Sequence, residues 1–293
     1  MPPRSYDRAV PAWTNPSAPP PPPGVVLHPR AQDRLAPPRS IAPGHELAPL
    51  VERHWLLSWD LPAQQRFPGS LVPQLSHNLT HEVGSGRPGI PYDAVVVTGV
   101  PTRRFDVDLA GRGYVLGTKF RPGALAAVSD VPAGALTDRT VLADEVLPRA
   151  VMDAYAAADD PGDPEVFRHT VEQALVSLLD RVDPAWVEVH EAVLNIATDP
   201  SLTTVARLVV ETGSSERTLQ RQFTRFVGVS PKRVISRYRL QDAVAALDAR
   251  TDESLADLAA RLGFFDQAHL AREFTRFVGI APSAYRAGRP VRG

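Results

Sequence analysis

"FTRFVG" occupies residues 223–228, and "FTRFVG" again occupies residues 274–279, 51 positions later. A hexapeptide written twice signals a duplicated structural unit. In register, "TVARLVVETGSSERTLQRQFTRFVGVSP" (204–231) lies over "LADLAARLGFFDQAHLAREFTRFVGIAP" (255–282). Leu208 matches Leu258 and Gly213 matches Gly263, an offset of 50. Leu219 matches Leu270, Phe223 matches Phe274 and Pro231 matches Pro282, an offset of 51. One extra residue in the second turn accounts for the change.

Each copy reads as a helix, a glycine turn and a second helix. In the first, Ser201 or Thr203 caps a helix through Leu208 and Val209, and Gly213 supplies the positive φ that ends it. Ser214 or Ser215 caps the next helix, with Leu219, Phe223 and Phe226 as an inward stripe. Gly228 stops it, and Ser230–Pro231 starts another. In the second copy Ser254 with Asp257 resembles a capping box, and Asp266 caps the helix of Leu270, Phe274 and Phe277. The phenylalanines are core at this spacing, not base-stacking groups.

A two-helix unit of this kind is a helix-turn-helix, whose second helix enters the major groove of DNA. The outward residues suit that use. They are Glu216, Arg217, Gln220, Arg221 and Arg225 in the first copy, and Gln267, His269, Arg272 and Arg276 in the second. Arg and Gln make bidentate contacts to guanine and adenine. Glu216 either accepts from cytosine or caps the helix dipole. Ser215, Arg225, Lys232, Arg233, Arg237 and Arg276 are placed for phosphates. The stretch 231–250 has no glycine or internal proline and reads as a helix that fixes the spacing of the two units. One chain would then read two major-groove faces roughly 34 Å apart.

The charge pattern agrees. The 293-residue chain has a formal net charge of −1, yet residues 186–293 carry 15 Lys/Arg against 12 Asp/Glu. Residues 213–239 hold seven basic side chains and one acidic one. Such a local basic face suits a polyanion.

Together the two copies, their order and their linker resemble the AraC/XylS family of bacterial transcription regulators over about residues 186–286. The resemblance implies base reading by Arg217, Gln220 and Arg221, then by Gln267, Ala268, His269 and Arg272. One departure is two aromatics after the second turn glycine, Phe264 and Phe265, the latter expected at the surface.

Ahead of this, residues 1–43 are proline-rich, with an unbroken run at 19–23, and are expected to be disordered. Residues 44–183 read as a β-rich domain with linking helices. "VERHWLLSWDL", "LSHNLTHEV", "DAVVVTGV" and "RRFDVDLAGRGYVLGTKF" carry strand patterns with frequent Gly and Pro, as in a small barrel or sandwich. In "LSHNLTHEV", alternation puts Leu75, His77, Leu79, His81 and Val83 on one face. In "PEVFRHTVEQALVSLLDRV" the helical stripe is Val166, Thr170, Val171, Ala174, Leu175, Leu178 and Leu179. "RHWLLSWDLP", "VTGVPTRRF" and "VLGTKFRPGALAAVSDVPAGALTDRTV" are similar to the N-terminal domain of an AraC-family subgroup, which implies a cupin-like sensor or dimerisation module. The fold class expected is therefore α+β: a β-rich front domain, linking helices, then an all-α domain of two helix-turn-helix units, at about 201–228 and 254–279.

His54, His77 and Arg121 are the candidate ligand contacts of the front domain. His77 and His81 are poor partners for one metal ion, since strand residues four apart lie about 13 Å from each other. With no cysteine, disulfides, thiolate sites and a cysteine-dependent alkyltransferase are excluded. No phosphate-binding glycine loop, zinc pattern or nucleophile elbow is present. No enzyme activity, cofactor or metal is expected. No apolar run is long enough for a membrane span or a signal-peptide core, so a cytoplasmic protein is expected. The expected partners are double-stranded DNA, a small-molecule effector, a second copy of the chain and, for an activator, RNA polymerase. A ligand- or metal-binding module with accessory DNA binding, and an architectural DNA binder, are the alternative readings.

Overall fold

The computed structural model describes residues 26–27, 39–71, 74–103, 105–158, 162–249 and 252–287. Most of the proline-rich segment, with its expected disorder, lies outside the described residues. Its end does not stay apart from the domain. Val26–Leu27 (β1) and Arg39–Ile41 (β2) are strands, and β2 pairs with the next strand at Ser40↔Trp55.

The front domain continues with Val51–Asp60 (β3), Arg66–Leu71 (β4), Asn78–Val83 (β5), Asp93–Thr98 (β6), Phe105–Ala110 (β7), Arg112–Phe120 (β8) and, after two helical turns, Thr140–Leu142 (β9). They form a six-stranded sheet in the order β2-β3-β8-β5-β6-β9 and a three-stranded sheet β1-β4-β7, with every pair antiparallel. The stretch "RRFDVDLAGRGYVLGTKF" holds two strands, β7 and β8, which do not form a hairpin. β7 pairs with β4 and β8 with β3, so the chain changes sheets at Gly111 (φ 58°).

The β3–β8 pair is the longest. Trp55 and Trp59 sit across from Gly117 and Gly113. A Cβ on Gly117 would lie 2.5 Å from the Trp55 ring, and one on Gly113 2.4 Å from that of Trp59. The two glycines let the indoles lie flat across the neighbouring strand, a close approach that only a missing side chain permits.

β5 corrects the expected alternation. Leu79, Thr80, His81 and Glu82 are all buried in succession, because both faces are covered from outside the sheet's hydrogen-bonded neighbours: His81 lies against Ala158, and Glu82, on the other face, is covered by Arg87. His77 precedes the strand instead of sharing a face within it.

The helices that follow are Ala124–Val128 (α1), Ala133–Leu136 (α2), Arg149–Ala157 (α3), Pro164–Leu175 (α4) and Ala185–Thr198 (α5). Asp163 caps α4, and Pro164 takes its first turn, as expected for a residue with no N–H to satisfy. Its inward stripe is Phe167, Val171 and Leu175, continued by Leu178, while Val166 is 57 % exposed. The largest apolar side chain takes the core, and the stripe turns by one position.

The last six helices are Val205–Thr212 (α6), Glu216–Phe226 (α7), Pro231–Asp248 (α8), Leu255–Arg261 (α9), Gln267–Val278 (α10) and Pro282–Arg286 (α11). Two cores divide them. The first runs without a break from the front sheet through α1, α2 and α5 into Leu208, Leu219, Phe223, Phe226 and Val227, and ends on Val234 and Ile235 of α8. The second contains Leu240, Ala243 and Leu247 of α8 with Leu258, Leu270, Phe274 and Phe277.

The repeated hexapeptide therefore has two environments. Gly228 (φ 86°) carries its carbonyl 2.8 Å from the Thr137 hydroxyl that donates to it. A Cβ there would meet Thr137 Oγ1 at 2.8 Å and the Ala133 carbonyl at 2.9 Å. Gly279 (φ 96°) is exposed. Alanine costs about 1–2 kcal/mol at either left-handed position. Overpacking against α2 adds about 1–3 kcal/mol at Gly228 alone. Urea unfolding is expected to show Gly228→Ala as the more destabilised variant, and equal midpoints for Gly228→Ala and Gly279→Ala would remove the contact with α2.

Candidate nucleic-acid interface

The first unit is built as its residue types require, with one shift. Thr204, not Ser201 or Thr203, caps α6, its hydroxyl accepting from Arg207 N–H at 3.3 Å. Gly213 turns the chain at φ 66°, and Ser215 caps α7 by accepting from Thr218 N–H at 3.1 Å. In the second unit Ser254 accepts from Asp257 N–H at 3.1 Å and donates to its carboxylate at 2.6 Å. Asp266 caps α10 by accepting from His269 N–H at 2.6 Å. A missing cap costs about 1 kcal/mol, so the four caps define where each helix begins.

Leu219, Phe223 and Phe226 are buried under α7, and Leu270, Phe274 and Phe277 under α10. The opposite faces stay in solvent. Arg217, Gln220 and Arg221 are exposed on α7, and Gln267, Ala268 and Arg272 on α10. Among the described residues, Arg217, Arg221 and Arg272 make no side-chain hydrogen bond or ion pair, so three guanidinium forks remain open. His269 differs from the others. It is half-buried, its Nδ1 accepts from the Phe265 N–H at 3.3 Å, and its ring meets Phe264 edge-on at 5.4 Å. The neutral ring then carries its proton on Nε2, the nitrogen left for a ligand.

The phosphate candidates divide. Lys232 and Arg233 are exposed in the first turn of α8, and Ser215 sits at the N-terminus of α7, where orphan N–H groups favour an anion. Arg225 is exposed but paired with Asp183 at 2.5 Å, and Arg276 pairs with Glu273 at 3.2 Å. Arg237 does not fit the phosphate role. It is 6 % exposed, donates to the Pro101 carbonyl at 3.1 Å and lies over the Phe277 ring at 5.4 Å. Burial pushes its pKa down to about 10. The signal was present in the spacing: Val234, Arg237 and Leu240 fall on one stripe of α8, and all three are buried. Arg239 was also missed. Its Nε donates to the Leu262 carbonyl at 2.5 Å, and its guanidinium stacks 4.0 Å over Phe264.

The front-domain candidates are held by separate partners. His54 is fully buried, with Nδ1 2.7 Å from Thr118 Oγ1 and Nε2 3.0 Å from Glu172 Oε1. Burial lowers its pKa, and Glu172 opposes that shift. Arg121 spends its Nε on the Ala48 carbonyl at 2.7 Å. His77 is fully buried with neither ring nitrogen hydrogen-bonded among the described residues, and burial pushes its pKa down to about 4. His81 is occupied by Asp93 at 2.8 Å. No hydrogen bond joins His54, His77 and Arg121 to one another among the described residues.

Replacing Lys232 or Arg233 by Ala is expected to reduce the salt slope of DNA binding by about 0.9 each. Arg237→Met should leave that slope unchanged and instead lower the unfolding midpoint, since it removes a buried charged hydrogen bond of about 1.5–3 kcal/mol. Salt titrations and denaturation of the three variants check this, and a slope that falls in Arg237→Met would return that residue to the phosphate set.

Residues 208–288 match a family described as a helix-turn-helix domain, and residues 39–142 match a domain of unknown function (DUF6597). The HTH-type transcriptional activator RhaS of Enterobacter sp. (strain 638) is 38 % identical over 105 residues, which are 36 % of this chain and 34 % of RhaS. RhaS of Klebsiella pneumoniae (strain 342) is 40 % identical over 75 residues, 26 % of this chain and 27 % of that one. The chain thus spans about a third or less of these relatives' own length. Among solved structures, ToxT from Vibrio cholerae aligns over 82 % of this chain and 99 % of its own, with a TM-score of 0.42 and 9 % identity. No helix among the described residues is long and apolar enough to cross a membrane. Two capped helix-turn-helix units joined by one unbroken helix, together with the helix-turn-helix family match over residues 208–288, make the C-terminal third of this chain a double helix-turn-helix domain of the kind that the AraC/XylS resemblance implies.

Proposed function

We propose that the chain is a sequence-specific transcription regulator that reads two neighbouring major-groove segments of double-stranded DNA. The observation that carries this reading is the pair of exposed, unpaired sets, Arg217, Gln220 and Arg221 on α7 and Gln267, Ala268 and Arg272 on α10, mounted on opposite ends of one helix. α8 has 18 residues, a length of about 27 Å at 1.5 Å per residue. Successive major-groove faces are about 34 Å apart. A strut of that length is of the same order as the spacing of neighbouring turns.

The front domain is the controlling part. Its α1 and α2 pack against α7, and Trp186 of α5 donates to the Pro122 carbonyl at 3.0 Å. A small-molecule effector or a second copy bound to the front domain would act on α7 through that shared core. Contact with RNA polymerase enters this reading where the chain activates.

Selection of bound sequences from a random duplex pool tests the reading and yields the site. On that site, Arg221→Ala and Arg272→Ala are each expected to weaken binding about 5- to 150-fold, from 1–3 kcal/mol per bidentate pair. Binding to scrambled duplex should change far less. Equal losses on both duplexes would assign the two arginines to the DNA backbone and leave a non-specific binder.

A further inference from the structure

Phe265 is 91 % exposed on the turn that enters the second recognition helix. Its neighbour holds that turn together. Phe264 is 5 % exposed, stacked under the Arg239 guanidinium and edge-on to His269. An apolar residue just before a helix cap ordinarily packs on the fourth helical residue. Here the cap is Asp266 and that residue is Leu270, which is already buried at 1 % exposure. With so little of its surface covered, Phe265 adds nothing to the core of its own unit. Its backbone is nonetheless pinned, since its N–H donates to His269 Nδ1 and the next residue caps the helix. An exposed phenyl ring on a fixed backbone is thus presented beside exposed Gln267, Ala268 and Arg272. The first unit has Ser214 and Ser215 after its turn glycine and no aromatic there.

We propose that Phe265 is a specificity-determining residue that reads thymine, its ring packing on the 5-methyl group where α10 enters the major groove. This rests on the DNA reading proposed above. A phenyl ring has no donor or acceptor, so the base feature it can recognise in that groove is the methyl, which only thymine presents. Gln267 and Arg272 beside it read polar edges. The second half-site therefore carries a required thymine that the first does not.

The test is a two-by-two comparison on the selected site. Each thymine is replaced in turn by deoxyuridine, which removes the methyl alone, and binding is measured with the wild-type chain and with Phe265→Ala. One thymine in the second half-site should cost the wild type about three- to tenfold when demethylated, a methyl-sized apolar contact. Phe265→Ala should lose a similar factor on the thymine duplex and be indifferent to deoxyuridine there. Its thermal midpoint should match the wild type, because the ring is outside the core. A wild-type chain that binds its site equally well with every thymine demethylated overturns the proposal. So does a Phe265→Ala chain that still senses the methyl. Loss of transcriptional activation in Phe265→Ala with unchanged DNA affinity would also overturn it, assigning the ring to a protein partner. Failure of the wild type to select any sequence would instead sink the DNA reading itself.

Discussion

α8 is buried by two cores at once. Its first half, with Val234 and Ile235, belongs to the core of the front domain and first unit, and its second half, with Leu240, Ala243 and Leu247, to that of the second unit. A helix anchored this way cannot turn about its axis without tearing one core or the other. A fully buried aromatic alone contributes about 3–5 kcal/mol when truncated, and Phe223, Phe226 and Phe274 are all at 0 % exposure. The register between the two recognition helices is therefore set by hydrophobic packing rather than by contacts to DNA. On the proposed reading, binding then costs less ordering entropy, because the two faces are already arranged.

The duplication is symmetric in sequence and asymmetric in consequence. The first unit is fused to the front domain through Thr137, Ala133 and Gly228, through Asp183 and Arg225, and through the core under α7. The second unit has its own core and reaches the rest mainly along α8. Arg237 is one exception. From the middle of that helix it touches the Pro101 carbonyl of the front domain and the Phe277 ring of the second unit. Its Nη1 is buried without a hydrogen bond among the described residues, a cost that only a tightly closed junction sustains. The units also meet away from α8, where Gly263 of the second turn lies so close to Thr203 that a Cβ there would come within 2.9 Å of it.

What could be read from sequence was whatever depends on near neighbours. Turn glycines, caps and the inward phenylalanines are decided within four or five residues, and Gly213, Ser215, Asp266 and Phe274 stand where spacing put them. Features that depend on distant strands or helices were not legible. β5 is buried on both faces because Ala158 covers one and Arg87 the other, which no alternation within residues 75–83 can announce. β2 emerges from a proline-rich stretch because β3 offers it an edge. Arg237 was legible in part: its stripe is apolar, yet an arginine on a basic helix is read first as a phosphate contact. Exposure of Phe265 followed from Phe264 already filling the turn.

The charges are distributed by the same logic. A chain of net charge −1 gains little from long-range attraction to DNA, since surface fields fade over about 8 Å at physiological salt. What matters is which cations are already spent. Arg225 and Arg276 are paired on the flanks of α7 and α10, while Arg237 and Arg239 are sunk into the junctions. Arg217, Arg221 and Arg272 carry no such partner among the described residues and stand on the outer faces. Four arginines are already engaged and three stand open to solvent. An arginine already paired must lose that partner before it can contact a base, whereas an open fork forfeits only water. On the proposed reading, the outer faces thus hold the side chains that would bind a base at the lowest cost, on helices whose junctions the buried Arg237 and Arg239 help to fix.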